Sequence, residues 1–149
     1  MPHFTLQLMP DGPMVNAVVL VSMARQTALT AAGVPIPNHV QIRALVDTGA
    51  SATCIDPSVL QSLGLTPTGS TMVNTPTTGS TPVQIDQYDV SILVPGATAA
   101  HTPLIFNNIP VICTELLAAQ GFHALIGRDI LSQCLLTYNG DLGQFTLAY

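Results

Sequence analysis

The stretch that decides the fold is Ala44-Leu45-Val46-Asp47-Thr48-Gly49-Ala50-Ser51. Upstream of Asp47 the chain alternates, and four apolar residues fall on one side of an extended strand: Val40, Ile42, Ala44 and Val46. Both sides are fairly apolar near Val46, which predicts a strand end that is buried on both faces. Gly49 then permits a sharp turn and the close approach of another backbone. The strand therefore delivers one carboxylate, Asp47, to a tight turn.

Asp47 is the candidate catalytic residue. An ionised carboxylate at the end of a buried strand is costly unless hydrogen-bond donors or a shared proton compensate it. The nearest donors are the Thr48 hydroxyl and the backbone N–H groups around Gly49 and Ala50. A surface turn with no chemical role is the alternative that this motif alone leaves open.

A second motif lies downstream and consists of apolar residues, a glycine and a helix start: Ala124-Leu125-Ile126-Gly127-Arg128-Asp129. Together with residues 47–51, it resembles the retropepsin family, the retroviral-type aspartic proteases. In that family a strand ending in Asp-Thr-Gly-Ala is followed, some tens of residues on, by an apolar-apolar-Gly-Arg-Asp/Asn helix start. Two linked motifs in one chain are more specific than either alone. The resemblance covers residues 40–136.

The resemblance implies an all-β fold, a retropepsin-like closed β-barrel with a flap hairpin and one to three short helices. The length of 149 residues predicts a single domain over residues 1–149. The resemblance also implies a homodimer, because pepsin-type enzymes carry two Asp-Thr/Ser-Gly motifs in one chain and this chain carries one. A two-fold symmetric homodimer would supply the second copy of Asp47. Thr48 of each copy would then bond across the axis and, with Gly49, support the active-site loop.

The predicted function is that of an aspartic endopeptidase. Two carboxylates at hydrogen-bond distance would share one proton, so that one deprotonates a water molecule and the other polarises the peptide carbonyl. Two alternatives stay open. The first is a dimer that has lost catalysis and serves as a peptide-binding or scaffold module. The second is an unrelated β-barrel with an incidental Asp-Thr-Gly turn.

The predicted partner is an extended peptide or protein substrate, held as an added strand between the two Asp47 carboxylates and a hairpin. Residues 72–83 predict that hairpin at the position of the family's flap, although its tip has Gly79 alone where retroviral flaps are glycine-rich. An ordinary exposed hairpin is the alternative. The predicted substrate-binding residues are Gly49, Ala50 and Ser51 on the floor and Thr78, Gly79 and Ser80 on the roof. Because Ser51 and Ala52 replace acids that are common in viral enzymes, a mostly apolar cleft is expected.

Arg128 has a predicted structural role. In the family this arginine pairs with an acidic residue just after Asp-Thr-Gly-Ala, but Ser51 occupies that place here. Backbone carbonyls, Asp129 and the partner chain are the possible acceptors. The terminal strands Phe4-Thr5-Leu6 and Phe145-Thr146-Leu147 are predicted to be apolar edge strands available for pairing between chains.

Charge is scarce in this chain. Charged residues make up 7% of its 149 residues, against about 25% in a typical globular domain. The basic residues are Arg25, Arg43 and Arg128, and the formal net charge is −5. Nucleic-acid binding is therefore not expected, because almost nothing could pair with phosphates. A surface so poor in charge fits partial burial in a dimer.

The three cysteines and four histidines suggest no metal or disulfide framework. The cysteines, Cys54, Cys113 and Cys134, lack Cys-x-x-Cys spacing, and the histidines are scattered. The sequence thus predicts neither a metal nor a cofactor. Residues 14–24 are too short to span a bilayer, and no basic segment precedes them. No membrane association and a cytoplasmic location are expected, with a longer precursor left open.

The remaining segments give a coarse prediction of secondary structure. Strands are predicted at residues 4–8, 14–23 and 53–55, with an irregular loop at 27–38. A helix is expected from the cap Asp56 to the exit Gly64, and a turn at 68–70. The apolar alternation changes parity near residues 86–87, which predicts a bulge or a change of buried face there. Two short strands within 104–112, helices at 115–120 and 127–134, and a hairpin around Asn139-Gly140-Asp141 complete the prediction.

Overall fold

The computed structural model describes residues 1–74 and 78–149. Its strands are β1 (His3–Gln7), β2 (Met14–Val21), β3 (Val40–Val46), β4 (Cys54–Ile55), β5 (Gly69–Val73), β6 (Val83–Val94), β7 (Leu104–Cys113), β8 (Ala124–Ile126), β9 (Leu135–Asn139) and β10 (Gln144–Ala148). Its helices are α1 (Met23–Ala31), α2 (Pro57–Ser62) and α3 (Arg128–Leu131), with one 3₁₀ turn at Ala118–Gln120.

Six strands close into a barrel in the order β2-β3-β8-β4-β7-β6, because β6 also pairs with β2. The first part of β6 instead pairs with β5, and these two strands form a hairpin at the edge of the barrel. The predicted all-β fold, with a closed barrel and short helices, is confirmed.

The barrel core follows from strand alternation. On β3 the predicted inward residues Ile42, Ala44 and Val46 are buried, whereas the two side chains between them are half-buried. On β2 the buried residues include Val15, Ala17, Val19 and Val21. Each fully buried Val or Ile of this kind stabilises the fold by about 1.5–3 kcal/mol. This core holds the end of β3, and with it Asp47, in a fixed position.

The two ends of the chain form a separate three-stranded sheet in the order β1-β10-β9. β10 is its central strand, and both Phe145 and Leu147 are buried. The prediction that Phe145-Thr146-Leu147 is an edge strand is therefore wrong, because β1 and β9 of the same chain occupy both of its sides. β1 and β9 are the edges of this sheet.

Helix α1 was not predicted. β2 ends at Val21, and residues 23–31, part of which were expected to be loop, are helical. The Ser22 side chain accepts a hydrogen bond from Arg25 N–H and caps the helix. Ser22 stands between the apolar residues Val21 and Met23, so the sequence pattern predicts a strand that continues through the cap. The expected irregular segment is confined to the residues between Gly33 and β3.

A bulge lies in β7 rather than at residues 86–87 of β6. Val90 pairs with Ile109 and Ile92 with Phe106, so Asn107 and Asn108 together face Ser91. The Ser91 hydroxyl donates to the Asn107 carbonyl. The expected break at Asn107-Asn108 is therefore wrong, because the extra residue is absorbed as a bulge within one continuous strand.

Three other local predictions need correction. The predicted turn at residues 68–70 runs into β5, which pairs with β6 from Gly69 onward. The predicted helix at 115–120 shrinks to a 3₁₀ turn, because Thr114 N–H continues the strand ladder to Ile55 and Leu116 N–H donates to Asp56. The predicted helix at 127–134 is the shorter α3. The C-terminal hairpin is confirmed as β9 and β10.

Helix α2 forms as predicted, with Asp56 as its N-cap and Pro57 at its first position. Burial alone would raise the pKa of Asp56. Hydrogen bonds from the Ser58 side chain and from the Leu116 and Ser58 N–H groups, together with nearby His123, outweigh burial and lower this pKa below its ordinary value. The ionised carboxylate is thus the form that the fold stabilises.

Replacing Asp56 by Ala is expected to lower the free energy of unfolding at pH 7 by about 0.5–2 kcal/mol, the usual value of an N-cap. Because the folded pKa is lowered, this contribution is present above the unfolded pKa of about 4 and is lost as pH falls through the folded pKa. Urea unfolding at pH 7 and pH 3 measures both effects. Asp56→Asn, which keeps an acceptor, is the control; an equal loss at both pH values for Asp56→Ala would contradict this assignment.

Candidate active site

Asp47 lies directly after β3, where β3 runs parallel to β8. The register pairs Leu45 with Leu125 and Val46 with Ile126. Asp47 N–H then donates to the Ile126 carbonyl at 3.0 Å. This pairing brings the Asp-Thr-Gly turn beside the Gly-Arg motif, although the two are far apart in sequence.

The backbone orients the Asp47 carboxylate. Its Oδ1 accepts a hydrogen bond from Gly49 N–H at 2.8 Å, and a Cβ added to Gly49 would lie 3.1 Å from the same oxygen. Glycine therefore allows the backbone to approach this closely. No hydrogen bond within the described parts of the chain reaches Oδ2, and the side chain is only half-buried. One oxygen is held while the other is open to a further group.

Arg128 binds three consecutive carbonyls of the Asp-Thr-Gly loop. Its Nη1 donates to the Thr48 carbonyl at 2.8 Å and to the Gly49 carbonyl at 3.2 Å, and its backbone N–H donates to the Ala50 carbonyl at 2.9 Å. Of the acceptors left open by the sequence, backbone carbonyls are the ones used. The side chain therefore fixes the loop that follows Asp47.

Replacing Arg128 by Gln is expected to lower the free energy of unfolding by about 1–3 kcal/mol, because a charged donor is lost from two carbonyls. If the predicted peptide hydrolysis takes place at this loop, its movement by about 1 Å would also lower kcat/KM by about 10²-fold. Thermal unfolding and initial rates measure these effects. Arg25→Gln removes the same charge from exposed α1 and is the matched control; equal effects of the two substitutions would contradict a specific role for Arg128.

A second network, which was not predicted, joins the two motifs below the loop. Fully buried Thr53 donates to Asp129 twice, from its N–H at 2.9 Å and from its Oγ1 at 2.8 Å. Gly127 N–H in turn donates to Thr53 Oγ1 at 3.1 Å. A Cβ on Gly127 would lie 2.5 Å from the Ala52 carbonyl carbon. The sequence shows an acid, Asp129, next to Arg128 and a threonine, Thr53, close to the first motif, and these two residues could have suggested the network.

An apolar strip lies beside Asp47. Leu45 and Leu125 are paired neighbours on β3 and β8, Cys54 pairs with Leu125 from β4, and all three are half-buried. Burial raises the pKa of the Cys54 thiol; a hydrogen bond with Thr114 opposes this, and the charges of Asp129 and Asp47 add to it. Cys54 is thus a neutral thiol, and this side of Asp47 presents mainly apolar surface.

The predicted floor and roof residues lie in two separate places. Gly49, Ala50 and Ser51 follow Asp47 in the loop. Thr78, Gly79 and Ser80 form a turn at the end of the β5–β6 hairpin, where Gly79 has a φ of 61° in the left-handed region. Three residues of the predicted tip, Thr75, Pro76 and Thr77, lie outside the described residues.

The residues described contain no group of three or more His, Cys, Asp or Glu side chains that could hold a metal ion. Within the same residues, no helix is long and apolar enough to cross a membrane.

Comparison with known proteins defines the class. The model of the family described as Aspartyl protease matches residues 32–139, and the chain belongs to this family. Its fold is similar to that of a retropepsin-like aspartic protease from Rickettsia conorii, with a TM-score of 0.57 and 16% identity over 99% of this chain and 90% of that one. The fold is therefore retropepsin-like, as the sequence motifs predicted.

A second solved structure, the foamy viral protease-reverse transcriptase in complex with RNA/DNA hybrid, matches with a TM-score of 0.45 and 16% identity, over 81% of this chain and 12% of that one. No curated protein sequence matches the chain.

Proposed function

We propose that residues 1–149 form one domain that acts as an aspartic endopeptidase, in a homodimer to which each copy contributes Asp47. The observation that supports this most directly is the hydrogen bonding of the two Asp47 carboxylate oxygens. Gly49 N–H orients Oδ1, and no group within the described residues bonds Oδ2. A carboxylate held in this way can meet a second carboxylate across a two-fold axis.

In the proposed dimer, the two Asp47 carboxylates share one proton, because two negative charges in contact repel each other. The ionised carboxylate takes a proton from water, and the water oxygen attacks the peptide carbonyl carbon. The protonated carboxyl donates its proton to the carbonyl oxygen, which gives a gem-diol. The carboxyl that took the proton from water passes it to the amide nitrogen, and the other carboxylate accepts a hydroxyl proton from the gem-diol. The C–N bond breaks, an acid and an amine leave, and the two carboxylates again share one proton.

Thr48 and Gly49 support this arrangement in different ways. The Thr48 side chain is exposed, and its carbonyl is held by Arg128. We assign its hydroxyl to a hydrogen bond with the loop of the partner copy. Gly49 supplies the N–H that orients Asp47. Each copy therefore brings a rigid half of the site to the dimer.

The proposed substrate is an extended peptide bound between the floor (Gly49, Ala50 and Ser51) and the roof (Thr78, Gly79 and Ser80). The half-buried Leu45 and Leu125 beside Asp47 support a preference for hydrophobic side chains next to the scissile bond. Cleavage of a peptide library measures this preference. A profile dominated by charged residues beside the scissile bond would contradict it.

The exposed edge of β9 is the proposed contact between copies. Leu135 and Tyr138 on this strand are 60% and 61% exposed, and an apolar edge strand can pair with another chain. Leu135→Lys combined with Tyr138→Glu is expected to raise the Kd of the dimer by about tenfold or more, because charge would be buried at the contact. Sedimentation measures the Kd.

Val34→Lys is the matched control for that prediction, since Val34 is an exposed apolar residue in the loop after α1. An unchanged Kd in the β9 double variant would place the contact on another surface.

Hydrolysis of a fluorogenic peptide, measured together with oligomeric state over a range of protein concentrations, tests the proposed function. Activity per chain should rise with the fraction of dimer, because one copy holds only half of the site. Constant activity per chain from a monomer would contradict the proposal. The inactive binding module keeps one observation in its favour, the single glycine, Gly79, in the hairpin tip. Binding of labelled peptide without hydrolysis would support that module.

A further inference from the structure

A second polar cluster lies on β2 and β3, away from the Asp-Thr-Gly turn. Asn16 pairs with Arg43 and Val18 with Gln41 across these strands, so all four side chains share one face of the sheet. Arg43 precedes Asp47 by four residues, which is about 13 Å along an extended strand. The cluster is therefore a separate site on the same strand.

These side chains line a cavity of about 370 Å³ together with His123 and Pro95. Its polar residues are Asn16, Gln41, Arg43 and His123, all of which can donate hydrogen bonds, and no acidic residue lines it. A neighbouring cavity of about 400 Å³ shares Asn16 and Arg43, and its other walls are largely apolar. Arg43 thus lies between the two cavities, and both have apolar surface in their walls.

Among the residues that the structure describes, the Arg43 guanidinium has no acidic partner. No ion pair or hydrogen bond to it occurs within residues 1–74 and 78–149, and the side chain is half-buried. It packs against Gly121, where an added Cβ would lie 2.7 Å from Nη1. Holding a partly desolvated cation without a counter-charge is costly. A bound anion would remove that cost.

His123 is fixed as a donor beside Arg43. Its Nδ1 accepts a hydrogen bond from Arg43 N–H at 3.2 Å, which leaves Nε2 as the ring nitrogen that can donate to a ligand. The His123 N–H also donates to the Arg43 carbonyl at 3.0 Å. These two hydrogen bonds therefore hold His123 against the backbone of Arg43.

We propose that Arg43 and His123 form a binding site for an organic carboxylate with an apolar body. A carboxylate presents two oxygens in a plane, which match the guanidinium fork. The Asn16 and Gln41 amides can bond the same oxygens, and the walls at Val18 and Pro95 accept apolar atoms. The carboxylate can belong to a small free acid or to a peptide, either at its terminus or on a side chain. This site does not depend on the chemistry of Asp47.

Amide NMR spectra of the whole chain, titrated with N-acetyl-leucine and with N-acetyl-leucinamide, test the proposal. The acid should shift the amide signals of Arg43 and His123 in a saturable manner, and the amide, which lacks the charge, should not. Arg43→Gln should weaken binding of the acid by about tenfold or more, because a bidentate charged contact is lost. Arg43→Lys keeps the charge but not the planar guanidinium, so its affinity for the acid should lie between those of the unmodified chain and Arg43→Gln.

Arg25→Gln is the control for loss of charge, since Arg25 also lacks an ion pair in the described part of the chain and lies on α1. An acetylated and amidated Leu-Glu-Leu peptide distinguishes the sources. If it binds as N-acetyl-leucine does, the site takes peptide side-chain carboxylates; if it does not, the site takes terminal or free acids. Equal binding of acid and amide, no shift at Arg43 and His123, or equal weakening by Arg25→Gln and Arg43→Gln would overturn the proposal. If Arg43→Gln does not fold, the comparison of N-acetyl-leucine with N-acetyl-leucinamide on the unmodified chain still tests whether the site requires a carboxylate.

Discussion

Replacing Asp47 by Asn is expected to lower kcat/KM for peptide hydrolysis by about 10⁴-fold or more. One general acid or base contributes about 10²–10⁴, and a homodimer would carry the substitution at both of its catalytic positions. The fold should not change, because the Asn side-chain oxygen can still accept the Gly49 N–H that Asp47 Oδ1 accepts at 2.8 Å. Initial rates on a fluorogenic peptide, with thermal unfolding of both proteins, measure the effect.

Mixing the two proteins gives a sharper test of a site shared between copies. If subunits exchange freely, about one quarter of the dimers in an equal mixture contain two unmodified copies. The rate of hydrolysis should then be about one quarter of the rate of the unmodified protein at the same total protein concentration. Hydrolysis by each copy alone would instead leave about half of the rate. Equal rates for the unmodified chain and for Asp47→Asn would contradict the proposed catalytic role of Asp47.

Replacing Gly127 by Ala is expected to have the largest effect on stability. The added Cβ would lie 2.5 Å and 2.6 Å from the Ala52 carbonyl carbon and oxygen and 2.9 Å from Thr53 N. These atoms belong to the backbone that joins the Asp-Thr-Gly loop to β4, so relief requires the loop itself to move. Overpacking of this kind costs about 1–3 kcal/mol or more, out of a total of about 5–15 kcal/mol for a typical domain.

Denaturant unfolding measures the effect of Gly127→Ala, and kcat/KM should fall with it because the loop carries Asp47. Gly69→Ala is the matched control, since a Cβ there would have no atom within 4 Å and Gly69 does not have a positive φ. Similar losses in the two variants would show that the approach of Gly127 to Ala52 is not the cause.

Local pattern predicted the features that depend on neighbouring residues. The alternation of residues 40–46 gave the buried face of β3, and the Asp56-Pro57 start and Gly64 exit gave helix α2. Helix α1 was missed for a local reason too. The cap at Ser22 stands inside an apolar run, which predicts a continuing strand. Pro35 and Pro37 predict a loop, and that loop begins only after the helix ends.

Features that depend on distant pairing could not be read in this way. The role of Arg128 follows from the parallel register of β3 and β8, which a single sequence does not display. The same holds for β10, whose flanking strands come from opposite ends of the chain. The network of Thr53 and Asp129 needed both motifs in three dimensions, although each residue stood beside a motif. The cavity at Arg43 likewise depends on side chains from four separate segments.

The hold of Arg128 on the carbonyls of Thr48, Gly49 and Ala50 has a consequence for how a dimer would assemble. The loop loses its conformational entropy when a single copy folds, so this entropy loss does not weaken the association of two copies. Two copies would then meet as nearly rigid bodies, with no further entropy cost for ordering this loop.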